Sequence, residues 1–126
     1  MQIQHIALNI NNISEINDFY KNILKCWPEN NFELEEQMAL KIFGIKEKPK
    51  VFTMRNSDVS MELFLSKNKL PKPQGYQHIC IKLKDRKHTA EKAKAYGYEV
   101  IEVKRNTSNL LFIKDKAGNT FELKEL

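Results

Sequence analysis

The sequence has no long apolar segment and few cysteines. No apolar run approaches the roughly 20 residues needed to cross a bilayer, and the first ten residues, MQIQHIALNI, lack the basic head and apolar core of an export signal. Two cysteines, Cys26 and Cys80, are too few for a disulfide framework and do not have zinc-finger spacing. We therefore expect no export signal, no membrane association and a reduced, cytoplasmic location.

Arginine is also scarce, with three residues, although the net charge is +5. Lysines spread along the chain carry this charge, which is typical of solvated faces. A nucleic-acid-binding surface would be expected to show clustered arginines and interleaved aromatic residues. The lysine-rich segments 46–50 and 66–73 instead favour an anionic small molecule. With 41% apolar and 29% charged residues, the composition is typical of a globular domain.

An internal repeat organises the chain. When His78 is aligned with His5, the segment IQHIALNI (residues 3–10) matches YQHICIKL (residues 76–83), and both alternate at the period of two that is typical of a half-buried strand. The same offset aligns Asn12 with Asp85, and both residue types are favoured helix N-caps. Each half is therefore predicted to begin with a strand followed by a helix.

The two predicted helices have different signatures. Glu15 follows Asn12 at the third helical position, which predicts a capping box. One apolar stripe at helical spacing then consists of Ile13, Ile16, Phe19, Tyr20, Ile23 and Leu24. The second helix, after Asp85, is alanine-rich and is predicted to end at a left-handed Gly97.

The two halves also end alike. Residues 59–65 (VSMELFL) match residues 119–126 (NTFELKEL), and each segment follows another strand candidate, at 50–56 and at 109–115. Earlier strand candidates lie at 31–36 and 98–103, and residues 37–44 predict an additional helical segment in the first half. The chain is therefore interpreted as β-α-β-β-β written twice, with module one at about 1–66, a linker at about 67–74 and module two at about 75–126.

Four side chains of metal-ligand type occupy equivalent positions in the two halves. His5 and His78 lie in the opening strands, and Glu62 and Glu122 lie in the closing strands. Strand alternation places each of them on the face opposite the main aliphatic row. Two imidazoles and two carboxylates suit zinc, nickel, cobalt, manganese or ferrous iron better than a thiophilic ion. The pattern favours a metal site over four structural residues.

The remaining distinctive residues have structural interpretations. Trp27 before Pro28 predicts a turn after the first helix, Cys80 is predicted to be a small buried residue, and His88 is expected in the exposed first turn of the second helix. The aromatic residues predicted to lie in the core are Phe19, Tyr20, Phe43, Phe52, Phe112 and Phe121.

The sequence resembles the vicinal oxygen chelate superfamily, which includes glyoxalase I, methylmalonyl-CoA epimerase, extradiol dioxygenases, fosfomycin-resistance enzymes and bleomycin-binding proteins. The resemblance spans the chain and is carried by HIAL, INDFYKNIL, MELFL, GYQHICIKL and DKAGNTFEL. It implies an α+β fold and a single domain over residues 1–126. Tandem βαβββ modules would form a cupped, partly open mixed β-sheet barrel with flanking helices around one divalent metal. The ligands implied by motif matching are His5, Glu62, His78 and Glu122.

The complete ligand set is most similar to that of glyoxalase I and its lyase or isomerase relatives. This implies abstraction of a proton beside a carbonyl through a metal-stabilised enediolate, with Glu122 as the first choice for the catalytic base and Glu62 as the second. Nickel, cobalt or zinc is expected, and manganese or iron is compatible. The resemblance also implies a homodimer and a small-molecule substrate, such as a hemithioacetal of a glutathione-like thiol or a thioester.

Three positions depart from the glyoxalase I pattern, and the first is Lys25, which follows Leu24 where the helix normally ends in leucine-glycine. Asn9 stands where an arginine usually helps to hold glutathione, and Ser66 stands where an asparagine is common. The resemblance therefore favours a metal-dependent lyase or isomerase more than lactoylglutathione lyase itself.

Three alternatives stay open. The first is an acyl-CoA epimerase of the methylmalonyl-CoA type, although such enzymes usually carry glutamine at the position of Glu62. The second is a non-enzymatic drug- or metabolite-binding protein like the bleomycin-resistance proteins, which typically lack the ligand set. The third is an extradiol dioxygenase, which needs further acid-base histidines, and only His88 is left for that role.

Overall fold

The computed structural model describes all 126 residues, which divide into two compact units, Met1–Pro71 and Lys72–Leu126. Each unit contains one open four-stranded sheet, in which its first strand pairs in parallel with its last and the other neighbours are antiparallel. The predicted α+β class is confirmed. None of the helices combines the length and the apolar character needed to span a bilayer.

The first unit follows the predicted order with one additional helix. Its elements are β1 (Ile6–Ile10), a π-helix (Ile16–Lys21), β2 (Trp27–Glu33), α1 (Glu36–Phe43), β3 (Lys50–Arg55) and β4 (Ser60–Leu65), and its sheet has the order β1-β4-β3-β2. The helix predicted at residues 37–44 is confirmed as α1. It ends at Gly44, whose φ of 70° is readily adopted only without a side chain.

The first helix differs from its prediction in type. It is a π-helix whose start, at Glu15, has no side-chain cap. Instead, the Asn12 side-chain oxygen accepts a hydrogen bond from the Ser14 N–H at 2.9 Å, which is an Asx turn. Asn12 therefore caps this turn through its side chain, as predicted, and the Glu15 half of the capping box stays a prediction. The apolar stripe is buried except at Ile13, which is 56% exposed because it lies in this turn, before the helix begins.

The turn predicted at Trp27 is also wrong, because β2 already begins there and runs to Glu33. Pro28 has no N–H to donate, and proline is tolerated in sheets mainly on edge strands and at bulges. Both conditions hold, since β2 is an edge strand and its register shifts between Pro28 and Asn30. Trp27 is 56% exposed, and the Lys21 ammonium lies 5.3 Å from its ring centroid.

The second unit repeats the simpler version of the same order. Its elements are β5 (Ile79–Leu83), α2 (Arg86–Ala95), β6 (Glu99–Val103), β7 (Leu110–Lys114) and β8 (Thr120–Glu125), and its sheet has the order β5-β8-β7-β6. The predicted caps of α2 are confirmed. Asp85 accepts a hydrogen bond from the His88 N–H at 2.9 Å, and Gly97, with φ 84°, directs its N–H to the Lys94 carbonyl.

Each sheet buries the face that carries its aliphatic row. Met61 and Leu63 of β4 are buried in the first unit, and Phe121 and Leu123 of β8 are buried in the second. Among the aromatic residues predicted to lie in the core, Phe19, Tyr20 and Phe121 are fully buried, and Phe52 and Phe112 are half-buried. Phe43 is 52% exposed, contrary to prediction, because it ends α1 on the unit's surface and packs only its edge against Phe64.

Equivalent hairpin turns precede the last strand of each unit. In the first, the Asn56 side-chain oxygen accepts hydrogen bonds from the N–H groups of Asp58 and Val59. In the second, the buried Asp115 carboxylate accepts hydrogen bonds from the backbone N–H of Asn119 at 2.9 Å and from its side-chain amide at 2.8 Å. A short polar side chain thus replaces missing backbone partners in both turns.

We expect the Asp115→Ala substitution to lower the free energy of unfolding by about 2 to 3 kcal/mol, because it leaves buried donors of Asn119 without an acceptor. Asp58→Ala is the matched control. Asp58 is exposed in the equivalent turn, so a change within about 0.5 kcal/mol is expected. Urea denaturation followed by circular dichroism measures both changes, and equal losses would contradict this role for Asp115.

Candidate functional site

His5 and Glu62 form a polar pair at the edge of the first sheet. His5 immediately precedes β1, one residue outside the strand predicted to contain it, and Glu62 lies within β4. Because β1 and β4 are parallel neighbours with Ala7 opposite Glu62, the imidazole lies beside the carboxylate. The distance from His5 Nε2 to Glu62 Oε2 is 3.4 Å, and the two side chains are 40% and 22% exposed.

His78 and Glu122 repeat this arrangement in the second unit. His78 immediately precedes β5, Glu122 lies in β8, and the distance from His78 Nε2 to Glu122 Oε2 is again 3.4 Å. His78 Nδ1 lies 2.9 Å from the Tyr76 carbonyl oxygen, an acceptor that holds a proton on Nδ1. The lone pair of the neutral imidazole is then on Nε2, the atom that faces Glu122, as a metal ligand requires.

The separation within each pair fits two ligands of one cation. Two donor atoms each about 2.1 Å from one ion, at a tetrahedral angle, lie roughly 3.4 Å apart. This matches the 3.4 Å between imidazole nitrogen and carboxylate oxygen in both pairs. Within neither unit do three or more His, Cys, Asp or Glu side chains group as a metal site would require. Each unit therefore supplies two of the four predicted ligands, and the complete ligand set stays a prediction.

The two pairs differ in their neighbours on the sheet. Glu62 is flanked in register by Ala7 and Thr53, neither of which is charged. Glu122 is flanked by Cys80 and Phe112, and the Phe112 ring packs edge-on to the His78 imidazole with the centroids 5.9 Å apart.

Glu122 also has a cationic neighbour. Lys124 Nζ lies 3.5 Å from Glu122 Oε1, the oxygen that does not face His78, and the Glu122 side chain is only 12% exposed. The sequence interpretation missed Lys124, although its spacing of two residues from Glu122 would have placed both on one face of a strand.

The interpretation of Cys80 as a small buried residue is wrong, because the side chain is exposed on the face that carries Glu122. The helix of this unit packs on the opposite, aliphatic face, where Ala90 and Ala93 are buried. Partial desolvation and then the Glu122 carboxylate, through its charge and a hydrogen bond, raise the pKa of the Cys80 thiol, while Lys124 and Lys82 oppose the shift.

Two other features of the first unit lie apart from these pairs. Glu47 is buried and accepts a hydrogen bond from the Ser66 hydroxyl at 2.7 Å. Ser66, which stands where glyoxalase I commonly has asparagine, therefore has a structural partner. A cavity of about 290 Å³ lies between the π-helix and β2, and its lining includes Ile16, Asn30 and Phe52 but none of the four predicted ligands. His88 is exposed in the first turn of α2, as predicted.

We expect Glu122→Gln to speed alkylation of Cys80 by iodoacetamide at pH 8. Removing the carboxylate lowers the pKa of the thiol and increases the reactive thiolate fraction. Lys124→Gln should slow the reaction, since it removes a cation that lowers the same pKa. Mass spectrometry separates Cys80 from Cys26, whose burial raises the pKa of its thiol to about 11. Glu125→Gln is the control on the adjacent residue, and an effect of equal size there would contradict the contact.

The fold is shared with solved structures of low sequence identity. The glyoxalase family protein from Enterococcus faecalis is 18% identical, with 98% of this chain and 97% of that chain covered and a TM-score of 0.74. A FosX fosfomycin resistance protein variant from Listeria monocytogenes, complexed with Mn(II) and 1S,2S-dihydroxypropylphosphonic acid, is 15% identical, with 97% and 90% covered and a TM-score of 0.75. FosX from Mesorhizobium loti is 13% identical, with 97% and 89% covered and a TM-score of 0.68.

No curated protein matches the sequence significantly. The family profile of the Glyoxalase/Bleomycin resistance protein/Dioxygenase superfamily, however, matches residues 2–123, nearly the entire chain. This match agrees with the paired His and Glu residues at the start and end of each module, and it shows that the chain belongs to the Glyoxalase/Bleomycin resistance protein/Dioxygenase superfamily.

Proposed function

We propose that the protein is a divalent-metal-dependent lyase or isomerase of the glyoxalase I type, with His5, Glu62, His78 and Glu122 as metal ligands. The observation that carries this proposal is the duplicated pair. In each unit a histidine before the first strand and a glutamate in the last strand lie with N and O donor atoms 3.4 Å apart. One isolated His–Glu contact of this kind would favour a structural role. The repetition of residue type, register and distance in two separate sheets favours a common ligand.

The donor set is compatible with several ions. Imidazole nitrogen and carboxylate oxygen suit zinc, nickel and cobalt, and manganese and ferrous iron are also compatible. Manganese is included among the candidate ions because the FosX variant of similar fold is complexed with Mn(II). A bound divalent ion would supply Lewis-acid polarisation of substrate oxygens.

The chain's own residues would bind the substrate and move its proton. Glu122 is the proposed base, taking a proton from the carbon beside a carbonyl and returning it to a neighbouring carbon. Its side chain is less exposed than that of Glu62, 12% against 22%, so a proton held there is better shielded from water. Lys124 contacts Oε1 of Glu122 and leaves Oε2 directed to His78. Glu62 is the second candidate for the base.

The alternative functions differ from the proposed one in their substrate or in their need for a catalytic base. An acyl-CoA epimerase would use the same proton transfer, and a drug- or metabolite-binding module would need no catalytic base. The duplicated His–Glu pairs favour an enzyme over a binding module, because binding alone requires no general base beside a polarising ion. We also propose a small-molecule substrate, a cytoplasmic location and a homodimer. Sedimentation equilibrium tests the last of these.

We expect protein purified without chelator to contain about one divalent ion per chain. His5→Ala and Glu122→Ala should each weaken metal binding by about tenfold or more, since each removes a ligand. His88→Ala is the matched control because this histidine is exposed on α2 and belongs to neither pair. Elemental analysis and calorimetric titration measure content and affinity. A wild-type protein that stays metal-free after reconstitution would contradict the proposal.

We expect Glu122→Gln to lower the rate of metal-dependent proton exchange by about 100-fold or more, because general-base catalysis contributes on this scale. Hemithioacetal isomerisation and acyl-CoA epimerisation in deuterated water are the two assays. The paired Glu62→Gln variant should lose less. A larger loss there would assign the base to Glu62, and metal content measured in parallel separates loss of the base from loss of the ion.

A further inference from the structure

The net positive charge of the protein comes from its second unit. Residues 1–71 contain nine Lys and Arg against nine Asp and Glu, whereas residues 72–126 contain twelve against seven, so the second unit carries the entire net charge of +5. Most of these lysines lie on exposed helix and loop positions, where solvation explains them. Lys82, Lys114 and Lys124 lie on the sheet face that carries the proposed metal ligands, and of these Lys114 pairs with Glu99 at 3.6 Å.

Lys82 and Lys124 are direct cross-strand neighbours. Strands β5 and β8 pair in parallel, with Lys82 opposite Lys124 two residues beyond Cys80 opposite Glu122. Steps of two residues return to the same face of a strand, so both lysines share the face of Cys80 and Glu122. The contact of 3.5 Å between Lys124 Nζ and Glu122 Oε1 agrees with this placement.

The first unit has no such pair. Its register places Asn9 opposite Phe64 at the equivalent position of β1 and β4, two residues beyond Ala7 and Glu62. Phe64 packs edge-on to Phe43 of α1, with ring centroids 5.8 Å apart. Both units therefore contain the His–Glu pair. The cross-strand pair two residues further along is uncharged in the first unit and consists of two lysines in the second.

Only one of the two ammonium groups has a carboxylate partner. Lys124 contacts Glu122, whereas Lys82 has no ion-pair partner among the salt bridges of the chain. Neighbouring strands are about 4.8 Å apart, so the two cations start from adjacent backbone positions and repel each other. An oxyanion between them would remove this repulsion and accept hydrogen bonds from both.

We propose that Lys82 and Lys124 form an oxyanion subsite beside Glu122 that binds the carboxylate, phosphate or phosphonate group of the small-molecule substrate. The assignment of this anion to a substrate rests on the proposed function, whereas the anion binding itself does not. Two residues along a strand span roughly 7 Å, so one small molecule can reach both the lysine pair and the ligand row. The substrate thus has an anionic group several bonds from the oxygens next to the reacting carbon.

Titration of the metal-free full-length chain with inorganic phosphate, followed by amide NMR, tests this subsite. We expect saturable shifts at Lys82, Lys124 and Cys80 with a Kd on the order of millimolar. Lys82→Gln and Lys124→Gln should each raise the Kd by about tenfold, the scale of one lost charge-assisted hydrogen bond. Glu122→Gln should lower it, because the substitution frees Lys124 from its only carboxylate partner. The same titration with acetate and with methylphosphonate ranks the three oxyanion classes.

Lys87→Gln is the matched control, since it removes the same charge from an exposed position on α2. Its phosphate Kd should stay within about twofold of the wild type. The subsite would be overturned if Lys87→Gln and Lys82→Gln raised the phosphate Kd equally, or if the chemical-shift changes lay outside β5 and β8. Either result would indicate a general effect of charge. Metal content of the same variants is measured separately. A chain that binds phosphate at the lysine pair but takes up no divalent metal on reconstitution would overturn the proposed function alone. A chain that takes up the metal but does not bind phosphate at the pair would overturn the subsite alone.

Discussion

The parallel pairing of the first and last strands of each unit is the constraint on which the candidate site depends. A parallel pair requires a long crossover, and here the intervening helices and hairpin strands provide it. Only this pairing places a residue before the first strand beside a residue in the middle of the last. His5 meets Glu62 and His78 meets Glu122 because β1 lies against β4 and β5 against β8.

Burial of the aliphatic row keeps the register of that pairing. Leu8 lies opposite Leu63 in the first unit, and Ile81 lies opposite Leu123 in the second. A slip of one residue would expose this row and bury the opposite face. The hydrophobic face therefore holds the polar pairs in place without contacting them. This explains why the two pairs have the same nitrogen–oxygen distance although the surrounding side chains differ.

The second unit adds charge and a thiol to this shared framework. Glu122 is surrounded by His78, Cys80 and Lys124, whereas Glu62 has uncharged register neighbours. Together with partial desolvation, its carboxylate raises the pKa of the Cys80 thiol, which lowers the thiolate fraction of this exposed cysteine. The duplicated modules thus share the same His–Glu pair, whereas charged neighbours of the glutamate are present in only one of them.

The sequence by itself determined the repeat, the order of strands and helices, the caps of α2 and the face on which the four candidate ligands lie. All of these follow from residue periodicity and local hydrogen bonding, which act within a few neighbours along the chain. Only the tertiary structure decided what depends on long-range pairing. The edge position of β2 accommodates Pro28, the uncovered face of β5 exposes Cys80, and the parallel register of β5 with β8 brings Lys82 beside Lys124. These contacts join residues distant in sequence, and a local pattern states which face a side chain occupies but not which strand lies next to it.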